Sequence, residues 1–333
     1  MIDNNKPSIG ILFTDSAKSD GSVPFKSRKS SRAHSIFSKR VEQQGLNAFF
    51  AYYREYKDGK LKNCWYRHNE RWKLANDKEI DVIYSRFAGS IYAGNKKNKL
   101  AERFKHKMAE QTTLVNHPLL DEFCWDKKIV AEMFPEFCPK TFIVNTKKGL
   151  KLVLSDIKSE RVVIKPRYGT LGKEVIITDK DNLPDKIEKN TVVQEFIDTS
   201  KGIRKVTDGL HDMRLIMING KIDHAHIRIP KKGLLTANVA LGGKKIFISN
   251  WLIPRKARTM AKNIDKLFKG FYPRIYSVDF LFDGKGKPFI VECNSQPMID
   301  KYAYGKYARI DFYDRVIQAI ASGIKVKVVR TIE

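Results

Sequence analysis

Two apolar segments in the C-terminal part of the chain carry acidic residues where a protein core is expected. The segment IYSVDFLF contains Asp279, and the segment FIVECN contains Glu292 and Asn294. The intervening DGKG is a typical turn sequence, so the two segments predict a β-hairpin. A four-residue loop at 284–287 places Asp279 opposite Glu292. Residues opposed in this way share one side of the sheet, with Cβ atoms about 4.5–5.5 Å apart.

These three side chains favour a hard divalent cation. Two opposed carboxylates in apolar surroundings repel each other, and each is costly to desolvate. Mg²⁺ prefers carboxylate and amide oxygens, and it fills its shell with water and phosphate oxygens. We therefore interpret Asp279, Glu292 and Asn294 as metal ligands. A solvated surface hairpin and a single protonated carboxyl group are the alternatives.

Length and composition narrow the class of protein. The chain has 333 residues, of which 42% are hydrophobic, as in a globular protein of about two domains. It has no apolar run long enough to span a membrane and no signal-peptide pattern, so a cytoplasmic protein without membrane contact is expected. Its four cysteines are scattered and form no CxxC pair, which argues against a disulfide scaffold and against a metal cluster.

The net charge of +26 invites an anionic partner. The excess is spread along the chain and consists mostly of lysine, whereas base and phosphate recognition favours clustered arginine. A compositional surplus of solvated lysines is the preferred interpretation, and nucleic acid is not the expected partner. The dense cluster Lys26, Arg28, Lys29 and Arg32 follows the first predicted strand. It is interpreted either as a solvated loop or as a clamp for an acidic substrate, through Arg28 and Arg32.

Periodicity divides the chain into three parts. Strands alternate with helices up to about residue 118, which predicts a parallel α/β domain over 1–118. The remainder is α+β, with antiparallel sheets, and is divided into 119–197 and 198–333. The predicted strands lie at 8–14, 46–53, 81–87, 113–116, 161–165, 174–178, 191–197, 212–218, 221–229, 275–282 and 288–294, with a further hairpin at 61–74. The predicted helices lie at 31–45, 98–110, 120–133, 254–269 and 310–322.

A glycine-containing loop, PRYGTLGK, joins two of the predicted strands. Lys165 ends the first strand, and Gly169 and Gly172 allow backbone N–H groups to approach a phosphate. The loop lacks the GK[ST] ending of a P-loop, and a strand rather than a helix follows it. Alone it is equally an ordinary hairpin, but phosphate and Mg²⁺ sites occur together, so the acidic hairpin strengthens the functional interpretation.

The segment TVVQEFID begins as a buried strand and ends in polar residues. An adenine ring needs backbone donors and acceptors at its edge, and the ribose hydroxyls need an acid. Residues 195–197 can supply the first and Asp198 the second. The alternative is the end of an ordinary core strand.

Taken in order, these motifs resemble the ATP-grasp superfamily. They cover about residues 119–310 and comprise Asp126-Lys127, VVIKPRYGTLGKEV, VVQEFID, HDMR, Arg228, NVALGG and VDFLF with FIVECNSQP. The resemblance is strongest to the branch of glutathione synthetase and the ribosomal-protein glutamate ligases, and it extends to the endospore coat-associated ATP-grasp proteins. It implies a pre-ATP-grasp domain, a lid subdomain and a C-terminal subdomain that carries the metal and substrate sites.

The resemblance also implies a role for each matching residue. The residues implied to bind ATP are Lys127 (with Lys128 as the alternative), Lys165, Tyr168, Gly169, Gly172, Lys173, Gln194, Glu195, Phe196, Ile197 and Asp198. Two Mg²⁺ ions, or Mn²⁺ in their place, are implied at the acidic hairpin. Arg214 and Arg228 are implied to bind the acyl phosphate or the γ-phosphate, and Asn238, Gly242 and Gly243 to line the substrate side. A strict two-residue turn at 219–220 would point the two arginines to opposite faces, so a shared role requires a bulge.

The implied activity is ATP-dependent ligation of a carboxylic acid or peptide to an amine through an acyl phosphate. The branch often forms homo-oligomers. Two alternatives remain: a catalytically inert ATP-binding structural protein, such as a coat component, and a basic protein that binds RNA or another polyanion. The histidines at 211, 224 and 226 are expected to be ordinary polar residues of the hairpin rather than general bases.

Overall fold

The structure, a computed structural model, describes residues 2–14, 23–25, 27–87, 96–168, 174–237, 242–297 and 310–329. The strands are β1 (Ser8–Phe13), β2 (Asn47–Tyr52), β3 (Tyr56–Lys57), β4 (Lys60–His68), β5 (Arg71–Glu79), β6 (Val82–Ser85), β7 (Thr113–Val115), β8 (Thr141–Val144), β9 (Arg161–Pro166), β10 (Ile176–Asp179), β11 (Thr191–Glu195), β12 (Asp212–Ile218), β13 (Lys221–Ile229), β14 (Lys244–Ile248), β15 (Ile275–Phe282) and β16 (Pro288–Asn294). The helices are α1 (Arg28–Gln43), α2 (Lys96–Gln111), α3 (Pro118–Trp125), α4 (Lys127–Met133), α5 (Lys147–Val153), α6 (Arg255–Leu267) and α7 (Ile310–Val329). Among the described residues, no helix combines the length and the apolar character needed to cross a membrane.

The chain forms two compact units. The first comprises residues 1–121, 269–275 and 296 onward, and the second comprises 122–268 and 276–295. The boundaries predicted at 118 and 197 remain a proposal about functional domains. The compact units divide the chain differently: residues on both sides of the 197 boundary fall in the second unit, and residues 269–275 and the C-terminal helix α7 belong with the N-terminal sheet.

The first unit contains a sheet in the order β3-β4-β2-β1-β6-β7, with β5 paired to β4. Strands β2, β1, β6 and β7 run parallel, which confirms the predicted parallel α/β fold. The β4–β5 hairpin adds an antiparallel edge to it.

Helix α1 packs against α7, and the rings of Phe37 and Tyr313 lie 5.6 Å apart. The buried residues of α1 follow the helical period, with Ala33, Phe37 and Val41 on one face. Helix α1 begins at Arg28, three residues before the predicted start. The basic cluster after β1 therefore lies on the first turns of a helix and not in a loop, apart from Lys26, which is outside the described residues.

The second unit contains two antiparallel sheets. The smaller has the order β10-β9-β11-β8 and a core of aliphatic residues that includes Val162, Ile164 and Val193. The larger has the order β14-β13-β12-β15-β16. Tyr276 of β15 donates a hydrogen bond of 3.0 Å to Asp265 of α6, so α6 lies on the Tyr276 face of the larger sheet. Successive residues of a strand point to opposite sides of the sheet. Asp279, three positions after Tyr276 on β15, therefore lies on the other face.

Two β-bulges set the register of the larger sheet. In the β15–β16 hairpin, Phe282 pairs with Pro288, so the loop has five residues, 283–287, rather than the predicted four. A bulge between Asp279 and Phe280 compensates for the extra residue, and Asp279 does pair with Glu292. The predicted pairing is therefore correct although the predicted loop is wrong by one residue.

The second bulge lies between Ile216 and Met217 in the β12–β13 hairpin. Its turn has positive φ at both Asn219 and Gly220, as a type I′ turn requires. Because of the bulge, Arg228 pairs with Asp212 instead of His211. Arg214 and Arg228 consequently lie on the same face of the sheet.

Candidate active site

Asp279 is the centre of a buried ion-pair cluster on one face of the larger sheet. Only 1% of its surface is exposed. Arg214 donates two hydrogen bonds to it, from Nε to Oδ1 at 2.6 Å and from Nη2 to Oδ2 at 2.5 Å. Arg228 donates a third from Nη2 to Oδ2 at 2.5 Å. The sequence predicted the acid and both arginines, and the structure adds that they contact one another directly.

Asp212 is a member of this cluster that the sequence interpretation missed. Its Oδ1 accepts a hydrogen bond of 2.6 Å from Nε of Arg228, so that Arg228 bridges two carboxylates. The sequence does indicate that Asp212 lies near Arg214, because the two residues are two positions apart on one strand and therefore share a face. Its pairing with Arg228 could not be predicted from the sequence, because that pairing depends on the bulge between Ile216 and Met217.

The cluster shifts the ionisation of its two buried acids in opposite directions. Burial favours the neutral form of Asp279, but the charges and hydrogen bonds of Arg214 and Arg228 outweigh it and lower its pKa to about 2. For Asp212, burial outweighs Arg228 and, together with the charge of Asp279, raises the pKa to about 6. Asp279 is thus held ionised, and Asp212 titrates closer to neutrality.

Glu292 and Asn294 extend the cluster along β16. Glu292 is the strand partner of Asp279, and its Oε1 lies 3.4 Å from Nη2 of Arg214. Its side chain is 35% exposed, so it is the most accessible acid of the group. Asn294, two residues further on, shares its face and is half-buried.

The donor set fits a magnesium ion. Two carboxylates and an amide supply oxygen ligands only, which is the preference of Mg²⁺. Three carboxylates, of Asp212, Asp279 and Glu292, face two guanidinium groups, which leaves one negative charge in excess within the cluster. Glu292 is the most exposed acid of the cluster and its contact with Arg214 is long, so its oxygens are the most available to a cation, whereas Asp279 must share or exchange an arginine to bind one.

Two lysines lie close enough to this cluster for the charge of Glu292 to affect their pKa values. Lys165 is 8% exposed, and its Nζ donates a hydrogen bond of 2.9 Å to Oε1 of Gln194. Burial and the neighbouring charge of Lys127 lower its pKa to about 8, against the opposing effect of Glu292. The pKa of Lys127 is also lowered by burial, and Glu292 and Asp126 oppose the shift. Lys128 instead pairs with Glu132 on the helix surface, so Lys127 is the lysine that belongs to this group.

Asp126 breaks the helix that was predicted over 120–133. It ends α3 and caps α4, where its Oδ1 accepts from the backbone N–H of Lys128 at 2.9 Å. It also accepts two hydrogen bonds from Arg167, at 2.8 and 2.5 Å, and a contact of 3.4 Å from the Tyr168 hydroxyl. This buried acid therefore fixes the start of α4, which carries Lys127, against the residues that follow β9.

The predicted nucleoside segment lies at the end of β11. Gln194 is buried between Lys165 and Thr141, to which its Nε2 donates at 2.8 Å. The backbone N–H of Glu195 donates to Lys140, and that of Phe196 donates to Ser159. Of the three N–H groups at 195–197, only that of Ile197 has no acceptor in the described part of the chain. Asp198 is exposed and accepts two hydrogen bonds from Ser200.

The other predicted residues were not assigned to this cluster. Gly169, Gly172, Lys173 and Asn238 lie outside the described residues. Gly242, with a φ of +91°, and Gly243 immediately precede β14. Arg28 and Arg32 lie on α1, in the first unit.

His226 lies on the same sheet face as the arginines, as the strand partner of Arg214. Burial and the surrounding cations, Lys245 first among them, lower its pKa well below the usual value. Its buried Nδ1 has no hydrogen-bond partner among the described residues. Its ring packs against Phe247 and His224, as expected of a residue within the sheet.

Comparison with known sequences finds a family match over the part of the chain that contains the ion-pair cluster around Asp279. The sequence model of the RimK-like ATP-grasp domain matches residues 135–320. A glutathione synthetase from Xylella fastidiosa (strain Temecula1) is 29% identical over 141 residues, which are 39% of this chain and 41% of that protein. A probable alpha-L-glutamate ligase from Syntrophotalea carbinolica is 24% identical over 196 residues, 56% of this chain and 59% of that protein. The chain thus spans between two fifths and three fifths of the length of these relatives.

A solved structure has the same fold over nearly the whole chain. It is the ATP-grasp ligase PsnB, complexed with a phosphomimetic variant of its minimal precursor, Mg and ADP. The TM-score is 0.62, and the match covers 96% of this chain and 99% of that one. At 11% identity, this similarity concerns the fold alone.

Proposed function

The chain belongs to the RimK-like ATP-grasp family, and from this membership we propose that it is an ATP- and Mg²⁺-dependent carboxylate–amine ligase. It would join an acid, either a small carboxylic acid or a peptide, to an amine and release ADP and phosphate. The names of the relatives, glutathione synthetase and glutamate ligase, support an amino acid or peptide on at least one side of the bond.

One observation carries the proposal. Two arginines, three carboxylates and two lysines converge on one face of the larger sheet and the neighbouring end of the smaller sheet, within the second unit. Burying Lys165 beside Lys127 is unfavourable, because desolvation and the repulsion between the two ammonium groups both oppose the charged form. Without a bound anion this arrangement would only reduce stability. A triphosphate would compensate both lysines, and a metal would compensate the excess carboxylate.

In the proposed reaction, a carboxylate oxygen of the substrate attacks the γ-phosphorus of ATP. The new O–P bond forms as the bond from phosphorus to the departing ADP oxygen breaks. Lys127 and Lys165 hold the phosphates, and Arg214 and Arg228 offset the negative charge of the acyl phosphate. When bound by Asp279, Glu292 and Asn294, two Mg²⁺ ions supply further charge neutralisation at the phosphates.

In the second step, the amine nitrogen attacks the acyl carbon. The C–N bond forms, the bond between carbon and the phosphate oxygen breaks, and the departing phosphate takes up the proton that the nitrogen gives up. Neither step requires a side-chain nucleophile, because positioning and electrostatic stabilisation suffice. Asp212 acts through Arg228, which it orients by the 2.6 Å hydrogen bond.

The other assignments follow the family motifs. Residues 168–173 close over the phosphates, Gln194 to Asp198 hold the nucleoside, and Asn238, Gly242 and Gly243 line the substrate side. For the adenine edge, the N–H of Ile197 is the available donor, because that of Phe196 already donates to Ser159. The proposed division places the lid in 119–197 and the metal and substrate site in 198–333.

The test is release of ADP and phosphate from Mg·ATP across a panel of acids and amines, with mass spectrometry of the products. We expect turnover only when both an acid and an amine are present, with a product lighter by one water than the sum of the two. ATP binding without turnover across a broad panel would support the inert structural protein. RNA binding with a steep salt dependence that Lys165→Ala leaves unchanged would support the polyanion-binding protein.

A further inference from the structure

A groove in the first unit lies outside the proposed ligase site. It runs between helix α1 and the β4–β5 hairpin and has a volume of about 760 Å³. Arg28, Arg32 and Lys39 line it from the helix, and Arg67 and Trp72 line it from the hairpin. We refer to it as the helix–hairpin groove, and all of its lining residues belong to the first unit.

We propose that the helix–hairpin groove docks an acidic segment of a peptide in extended conformation. Hydrogen bonds connect the two walls of the groove. Trp72 Nε1 donates a hydrogen bond of 3.2 Å to Oγ of Ser31, and Arg67 Nη1 donates one of 3.0 Å to Oγ of Ser35. These bonds hold the hairpin against the helix before a ligand binds. Binding therefore does not include the free-energy cost of ordering the groove walls.

The charge of the groove is predominantly positive. Four permanent cations line it, on Arg28, Arg32, Lys39 and Arg67, against two carboxylates, Glu42 and Glu70. Arg28 and Arg32 also lie at the amino-terminal end of α1, whose first turn has no acidic residue. Cations at this end oppose the helix dipole, so their presence does not serve the stability of the helix.

The spacing of the cations fits an extended peptide. Arg28 and Arg32 are one helical turn apart, about 6 Å along the axis. In an extended chain, alternate side chains point the same way and recur about every 6.6 Å. Carboxylates at alternate positions of a peptide would therefore meet successive cations of the helix. The helix face from Arg28 to Glu42 is roughly 21 Å long, which corresponds to about six extended residues.

The aromatic residue of the groove favours a peptide over a single-stranded nucleic acid. Non-specific binding of single strands relies on aromatic faces on which bases stack. The ring of Trp72 is already covered by the guanidinium of Arg67, whose Cζ lies 5.5 Å from the ring centre, and the ring also contacts Phe50 at 5.1 Å. Glu42 and Glu70 would in addition repel a continuous phosphate backbone, whereas a peptide can present a neutral residue to each of them.

The test is binding of a fluorescein-labelled hexaglutamate peptide to the full chain, measured by anisotropy. Hexaglutamine and an oligothymidylate of similar length are the comparison ligands. The test variant is Arg28→Glu/Arg32→Glu, and its control is Lys262→Glu/Lys266→Glu on α6. Both pairs are exposed, both are separated by four residues on a helix, and both change the net charge by the same amount. Arg28→Gln/Arg32→Gln is a milder second variant, and thermal unfolding verifies that each variant folds.

We expect hexaglutamate to bind the wild-type protein and hexaglutamine to bind weakly or not at all. Affinity should fall by about tenfold or more in the Arg28/Arg32 variants and remain within about twofold in the Lys262/Lys266 variant. Equal loss in both would mean that only net charge matters, and would overturn the proposal. Absence of hexaglutamate binding would also overturn it, as would tighter binding of the oligothymidylate that depends on the same arginines. Because the assay contains no nucleotide and requires no turnover, its outcome is independent of the proposed ligase activity.

Discussion

Arg214 and Arg228 donate to the same oxygen, Oδ2 of Asp279, at 2.5 Å each, although they lie on different strands. Arg228 also binds Asp212, and Arg214 also approaches Glu292. The cluster is thus a chain of alternating charges, in which each arginine contacts two acids. Removing Asp279 would leave both arginines without their shared acid, which is costly, whereas removing Glu292 leaves Arg214 paired with Asp279. This arrangement allows predictions that separate catalytic from structural effects.

The metal assignment predicts that Glu292→Gln loses nearly all Mg²⁺-dependent phosphate release. The side chain keeps its size and is one third exposed, so the fold should be little affected. We expect turnover to fall by at least about 100-fold. Mutating a residue that only orients a metal ligand already costs up to about 100-fold, and Glu292 is proposed to bind the metal itself. Binding of Mn²⁺ in the presence of ATP, followed by electron paramagnetic resonance, should weaken in parallel. The exposed Glu160→Gln is the matched control, and wild-type rates in Glu292→Gln would refute the assignment.

The pKa of Asp212 predicts a pH dependence of stability. Because the folded-state pKa is about 6 and the ordinary value is 3.8, folding favours the protonated acid. Its stabilising contribution is complete below about pH 4 and is lost as the pH rises through about 6. The pKa of Asp279, about 2, has the opposite effect, but that contribution is lost only below pH 4. The two acids therefore act in separate pH windows.

The variant Asp212→Asn cannot ionise, so it isolates this effect. Relative to the variant, the wild-type protein should lose unfolding free energy steadily between about pH 4 and pH 6. Urea denaturation at a series of pH values measures the difference. A difference that does not change with pH across this window would contradict the shift.

The pKa of Lys165 predicts proton uptake when the nucleotide binds. With a pKa of about 8 in the free protein, Lys165 is mostly neutral at pH 9. Phosphates beside it would favour the charged form, so binding near pH 9 should take up close to one proton. Calorimetry in buffers of different ionisation enthalpy measures this uptake.

Lys165→Met should abolish the uptake, whereas Lys128→Met on the surface of α4 should retain it. Nucleotide affinity of the wild-type protein should also decline as the pH rises above 8. Uptake that persists in Lys165→Met would assign the proton to another group.

The position of Asp126 predicts a structural role that is measurable without any ligand. Asp126→Ala removes the cap of α4 and leaves the partly buried Arg167 without its acid. We expect a loss of about 2–4 kcal/mol of unfolding free energy. The control Glu132→Ala breaks only the exposed pair with Lys128 and should cost less than about 0.5 kcal/mol. Similar losses in the two variants would argue against the capping role.

The sequence alone predicted most strands, because strand and turn patterns are local, and together with the family resemblance it singled out every residue of the central cluster except Asp212. Acidic residues within otherwise apolar segments identified β15 and β16, and turn residues identified both hairpins. The order of the motifs identified the family. Helix boundaries were less accurate, as at Asp126, where a buried side chain shared with Arg167 ends one helix and starts another.

Tertiary structure decided which of these side chains meet. The bulge at Ile216 and Met217 brings Arg228 opposite Asp212, and the bulge after Asp279 restores its pairing with Glu292. The site of a bulge depends on how neighbouring strands and the core below them pack, which no local pattern encodes. In the same way, α7 joins the N-terminal unit because Tyr313 packs against Phe37, far away in the sequence. Residue types and their faces follow from short-range periodicity, whereas partners follow from long-range packing.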